Sequence, residues 1–168
     1  MKWKNVIAIA VAGLLFVRSR RNTGVMLSKN FSLDEFIRSE TANMKGISNI
    51  PNPSELANIS ALVQNVLQPA RDALKTPIYI NSGFRSEKLN DAVGGAPNSQ
   101  HMAKNGAAAD IRSNDNLKLF NYIKDNLPFD QLIWEEGTSE PKWVHVSYKN
   151  FFNRKEVLRY NNGIYTKI

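Results

Sequence analysis

The chain has no cysteine and only two histidines, His101 and His145, among its 168 residues. Without thiols there is no disulfide framework and no thiolate metal site, so any metal must be held by imidazole and carboxylate ligands. The absence of cysteine leaves the compartment open, because many exported proteins do without disulfides. Acidic residues are also scarce: 15 Asp and Glu against 22 Lys and Arg leave a net charge of +7. A balance of that sign draws a protein towards a polyanion, whether nucleic acid, anionic lipid or an anionic cell-wall polymer. Internal repeats and low-complexity tracts are missing as well. With 42% hydrophobic and 10% aromatic residues the composition excludes a mostly disordered or fibrous chain. The length allows one domain with a real core and a short appendage.

The longest apolar run, Val6 to Val17 in "MKWKNVIAIAVAGLLFVRSRRNTG", is also too short to be comfortable as a membrane span. A helix rises about 1.5 Å per residue, against ~30 Å of hydrocarbon. Lys2 and Lys4 precede the run, and Arg18, Arg20 and Arg21 follow it where a signal peptide would carry small residues for cleavage. We expect residues 1–24 to be a hydrophobic, basic-flanked segment of anchor or signal-like type. The favoured form is an uncleaved anchor or interfacial helix, with Trp3, Lys4 and Arg18 snorkelling to extend its reach. A helix docked on the domain or on a partner is the alternative. Residues 25–168 form the folded domain.

Within that domain, "SLDEFI" starts a helix with Ser32 as N-cap and Glu35 closing a capping box. In "NPSELANISALVQNVLQPARDALK" the residues Leu56, Ile59, Leu62, Val63, Val66, Leu67, Ala70 and Leu74 share one helical face, and Pro69 kinks or restarts the helix. "PIYINSGF" reads as a strand entering a glycine turn and "SEKLNDAVGG" as a short helix ended by its glycines. Then come a strand in "AAADIRS", a helix in "NLKLFNYIKDNL", strands in "DQLIWEE" and "WVHVSYK", and a weaker strand in "KEVLRY". Helices first, then strands joined by hairpin-length links, indicate an α+β fold with a central antiparallel sheet flanked by helices.

Strand alternation sends Val144 and Val146 to one face and Trp143, His145 and Ser147 to the other. It likewise separates Ala107, Ala109 and Ile111 from Ala108 and Asp110. If the two strands are neighbours, Asp110 and His145 converge, with His101 reaching in from the loop "SQHMAKNG". Two histidines and one carboxylate with a vacant fourth position are the makeup of a catalytic zinc site. A surface strand histidine and a turn-capping aspartate are the plain alternatives, and spacing alone does not choose.

The surrounding residues do. "INSGFRSEKLNDAVGGAPNSQHMAKNGAAADI", with "DQLIWE" and "WVHVSY" downstream, resembles the zinc D-alanyl-D-alanine carboxypeptidases and phage endolysin peptidases, which share a fold with the hedgehog signalling domain. The likeness runs from about Phe31 to Lys149. It implies Zn2+ held by His101, Asp110 and His145, with Arg85 facing the substrate. The implied activity is hydrolysis of peptide bonds in peptidoglycan stem peptides, of carboxypeptidase or endopeptidase type. Two departures stand out. Four residues, Met102 to Asn105, separate the histidine from Gly106 where relatives usually have two, an insertion a loop absorbs at small entropic cost. Several relatives carry an acid three residues before the last histidine, where this chain has Lys142; the resemblance implies instead a general-base glutamate at the end of the "QLIWE" strand, Glu135, with Glu136 and Glu140 as fallbacks. Ser82 and Ser99 are expected to brace the loops that carry the site. Trp143 and Tyr148 either line the groove or belong to the core.

The expected partner is therefore bacterial peptidoglycan, with membrane or virion association through residues 3–21 and a place at the bacterial envelope or in a phage particle. A non-catalytic zinc-containing wall-binding or virion structural module of the same fold is the alternative. Nucleic acid is not expected, since the aromatics are not interleaved with Lys and Arg in a nucleic-acid motif.

Overall fold

A computed structural model describes residues 23–168 of the chain. The hydrophobic segment expected over 1–24 thus lies outside the described residues, save Thr23 and Gly24. No helix among the described residues is long and apolar enough to cross a membrane.

The helical half comes first. Helix α1 (Leu33–Ile37) starts at Ser32, whose backbone N–H and hydroxyl both donate to Glu35 Oε2 at 2.8 and 3.0 Å. Helix α2 (Glu40–Lys45) ends on Gly46 in the left-handed conformation. In α3 (Pro53–Leu62), Asn52 and Glu55 form a reciprocal capping box, and Pro53 costs nothing in a first turn that has no use for its N–H. A π-helical turn (Val63–Leu67) then leads into α4 (Gln68–Leu74). Pro69 explains that wide turn: it lacks an N–H and its ring presses on the carbonyl four residues back, so the helix restarts around it. Ile59, Leu62, Val63, Val66, Leu67 and Ala70 are all buried, and Leu56 and Leu74 pack at the margin. Each fully buried Leu, Ile or Val contributes roughly 1.5–3 kcal/mol.

The second half is a six-stranded sheet: β1 (Tyr79–Ser82), β2 (Ala107–Arg112), β3 (Gln131–Glu135), β4 (Trp143–Tyr148), β5 (Glu156–Asn161) and β6 (Ile164–Lys167). Helix α5 (Glu87–Ala92) and a 3-10 turn (Gln100–Met102) separate β1 from β2, and α6 (Asn116–Asn126) separates β2 from β3. The spatial order is β1-β2-β4-β3-β5-β6. One face, with Ala107, Ala109, Ile111, Leu132, Val144 and Val146, is buried in the main core together with Leu119, Phe120 and Ile123 of α6. Phe120 meets Trp134 edge-on at 5.4 Å between ring centroids.

The sheet departs from the expected antiparallel arrangement, because β3 and β5 pair in parallel. The cause is the path after β4, which skips over β3 instead of pairing back on its predecessor. Asp130, fully buried at the start of β3, fastens that crossover: its carboxylate accepts from Arg154 N, Nε and Nη2 at 2.7–3.1 Å and pairs with Lys149 Nζ at 3.2 Å. Its backbone carbonyl accepts from Glu156 N–H at 3.0 Å. Strand β6, absent from the sequence reading, completes a C-terminal hairpin with β5.

Candidate active site

Strand pairing builds the site. In the β2–β4 ladder Asp110 stands opposite His145, and in the β1–β2 ladder Ser82 stands opposite Asp110. Both ladders present these side chains on the sheet face opposite the main core. His145 Nδ1 lies 2.8 Å from Asp110 Oδ1, and His101 Nε2 lies 3.4 Å from the same oxygen. The two imidazole centroids are 5.1 Å apart. One ligand atom from each of His101, Asp110 and His145 lies within 4.8 Å of the others, so the three can hold a metal ion.

The donor set fits such an ion in two further respects. Zinc with bonds near 2.0–2.2 Å needs tetrahedral donors about 3.3 Å apart; the His101–Asp110 separation of 3.4 Å matches this, and His145, at 2.8 Å, sits closer to Asp110 in a hydrogen bond. The tautomer of His101 is also set. Its Nδ1 is 2.7 Å from the carbonyl oxygen of Gly83, which can only accept, so the proton sits on Nδ1 and Nε2 keeps a free lone pair. Burial lowers the His101 pKa despite the opposing charge of Asp110, which favours the neutral, ligating imidazole. Burial alone would raise the Asp110 carboxyl, but His101 and His145 beside it hold it well below the usual carboxylate range.

The loop carrying His101 is folded into a fixed turn. Ser99 Oγ accepts from His101 N–H at 3.3 Å, Ala103 adopts a left-handed conformation, and Asn58 Nδ2 donates to Ala103 O at 2.8 Å. Gly106 closes the turn at φ +91, where a Cβ would fall 2.4 Å from Tyr148 O.

The segment Ser82 to Arg85 is pinned from three sides. Phe84 N–H donates to Phe36 O and Arg85 N–H to His101 O, each at 2.9 Å. Gly83 has no room for a side chain, since a Cβ would meet Phe36 Cα at 2.7 Å. Asn49, a residue the sequence reading missed, is buried, donates to Ile37 O and Phe84 O and accepts from Ser86 N–H. Nothing in "SNIPNP" marks it beyond an asparagine in a turn. So held, Arg85 donates to Ser82 Oγ from Nε at 3.3 Å and from Nη2 at 3.0 Å, and Nη2 reaches Asp110 Oδ2 at 3.4 Å.

Glu135 ends β3 on the same face. Ile133 is registered opposite His145 and Glu135 opposite Trp143, which sets the carboxyl one step diagonally from His145. It is 8% exposed. Burial pushes its pKa up to about 7, with Asp110 and Glu136 adding to the rise and His145 opposing it. The two fallback acids lie elsewhere: Glu136 is drawn into an ion pair with Lys142, and Glu140 is exposed in the following loop. Trp143 is half-buried on the site face, whereas Tyr148 packs against the main core.

A two-histidine, one-carboxylate cluster, with His101 buried and Asp110 and His145 partly exposed, flanked by an arginine and a buried glutamate, has the makeup of a metallohydrolase site. The sequence model of the family described as Peptidase M15 matches residues 29–147, and the chain belongs to that family of peptidases. A search of curated proteins finds no significant match. The matched region contains Arg85, His101, Asp110, Glu135 and His145, and it ends before β5.

Proposed function

We propose that the protein is a zinc peptidase that hydrolyses peptide bonds in the stem peptides of bacterial peptidoglycan. The observation that carries this reading is the convergence of His101, Asp110 and His145 on one point, with the buried carboxyl of Glu135 on the same sheet face. Those three residues would hold the ion and leave a position for water or substrate. When bound, zinc supplies Lewis acidity, bringing the pKa of water towards neutrality and polarising the scissile carbonyl.

The remaining work belongs to side chains of this chain. Glu135, its carboxyl buried on the face of His145, takes the proton of the attacking water on a carboxylate oxygen and returns it to the leaving amine nitrogen. Arg85, held by Ser82, donates to the carbonyl oxygen as negative charge grows there, or clamps a substrate carboxylate with its planar fork. The net charge of +7 would keep the enzyme near anionic wall polymers. Residues 3–21 would associate it with a membrane or a virion, placing it at the bacterial envelope or in a phage particle.

Glu135→Gln tests the reading. Hydrolysis of purified peptidoglycan is expected to fall by about 10²–10⁴-fold with zinc stoichiometry retained. A wild-type protein that loads zinc yet leaves every wall substrate intact would instead be a binding module. Mass spectrometry of the digested fragments names the bond, since the new termini separate carboxypeptidase from endopeptidase cleavage.

A further inference from the structure

The C-terminal hairpin lies beyond the family-matched residues, yet it borders the site. Its placement follows from register. Glu135 pairs with Trp143 on one side and with Tyr160 on the other, and Tyr160 pairs with Tyr165. Trp143, Glu135, Tyr160 and Tyr165 therefore form one row across four strands, on the face that carries Asp110 and His145. The two tyrosine rings pack against each other at 4.7 Å between centroids, outside the main core. Tyr165 remains 57% exposed, and every residue of β6 is exposed.

We propose that Tyr160 and Tyr165 form the wall of the substrate cleft beside Glu135, holding the peptide through ring contact and phenol hydrogen bonds and making the hairpin a specificity element of this chain. This rests on the reading of the site as a peptidase. A tyrosine pair suits the task, because each ring offers a rigid apolar face to side-chain or backbone carbons and a hydroxyl that donates to or accepts from a peptide group. The closeness of the wall to the reacting groups has an electrostatic trace. Partial loss of water around the hydroxyl of the otherwise exposed Tyr165 raises its pKa, and the Glu135, Tyr160 and Asp110 charges raise it further. The plain alternative is a cross-strand pair that only steadies an edge hairpin, worth roughly 0.2–1 kcal/mol.

The test compares wild type with Tyr165→Ala and Tyr165→Phe on a soluble stem-peptide fragment. It also measures, by calorimetry, the affinity of zinc-loaded Glu135→Gln for that fragment with and without Tyr165→Ala. For Tyr165→Ala, KM is expected to rise about tenfold with kcat within about twofold, and binding to Glu135→Gln to weaken by a similar factor. Tyr165→Phe is expected to recover the part carried by the ring. Melting temperature and zinc content should stay at wild-type values, as the residue is exposed on an edge strand.

Unchanged KM and affinity in Tyr165→Ala would overturn the proposal, as would a loss that tracks a fall in melting temperature. A wild type that cleaves nothing while Tyr165→Ala weakens fragment binding would overturn the peptidase reading and leave the wall standing. Active wild type with no effect of Tyr165→Ala would do the reverse.

Discussion

His101 donates from Nδ1 to the carbonyl oxygen of Gly83 across 2.7 Å, and this bond decides which ring nitrogen faces Asp110. The acceptor is a main-chain atom, so its place depends on how closely β1 approaches α1. A methyl group at residue 83 would fall 2.7 Å from Phe36 Cα and 2.8 Å from Phe36 O, neither of which can swing aside. Gly83→Ala is therefore expected to cost about 1–3 kcal/mol through overpacking. Displacing the carbonyl also loosens the ring, so zinc affinity should fall about 10–100-fold. Calorimetric zinc titration and thermal melting check both; a variant that melts lower but binds zinc at wild-type affinity would separate Gly83 from the metal site.

Metal removal should itself be visible in stability. An ion bound to the native state alone adds stability by mass action, about 4 kcal/mol at free zinc a thousandfold above Kd. For a chain of this size that corresponds to roughly 8–16 °C in melting temperature. A chelator is expected to lower the melting point by an amount in that range and zinc to restore it. In His101→Ala the chelator should change nothing, because two of the three donors do not make a site. Differential scanning calorimetry with and without chelator gives the answer.

Arg85 makes three polar contacts that a lysine cannot reproduce: two to Ser82 Oγ and one to Asp110 Oδ2. Lysine offers a point charge without the planar fork. Arg85→Lys is expected to lose about 10²-fold in kcat/KM while zinc stoichiometry is kept, since none of the three metal-cluster residues changes. A variant with wild-type kcat/KM would reduce Arg85 to a structural partner of Asp110.

Much of this site was legible in the chain because it obeys short-range rules. Alternation along "AAADIR" and "WVHVSY" sets Asp110 and His145 apart from the apolar core residues of their own strands, the resemblance joins them as ligands, and the ladder pairs them directly. Glu135 was reached through the family resemblance, and it is the β3–β4 register that sets it on the face of His145. What stayed hidden depends on long-range register or on the absence of a pattern. The parallel β3–β5 pairing hides behind a short β4–β5 link, residues 149–155, and the grip of Asp130 on Arg154 and Lys149 shows how the crossover is held. Strand β6 is exposed at every position, so "IYTK" carries no buried-to-exposed alternation to read. Helix α2 similarly buries only Ala42, too little for a periodic signal. Asn49 acts on backbone atoms far away in sequence, and no local motif announces that.

The crossover makes its own pH prediction. Burial alone would raise the Asp130 carboxyl, but hydrogen bonds from the Arg154 side chain and backbone and from Lys149 hold it down at about 2. An unfolded aspartate titrates near 3.9, so the folded pKa is the lower of the two, and the stability gained is complete above about pH 4 and lost as pH falls through about 2. The shift corresponds to roughly 2–3 kcal/mol at neutral pH. Asp130→Asn is thus expected to be less stable than wild type by about that amount at pH 7, with the gap closing between about pH 4 and pH 2. Urea unfolding across that range measures it directly. Because Asp130 lies at the far end of β3 from Glu135, the variant should keep its zinc affinity, and a parallel loss of zinc binding would mean that the crossover and the metal site are mechanically coupled.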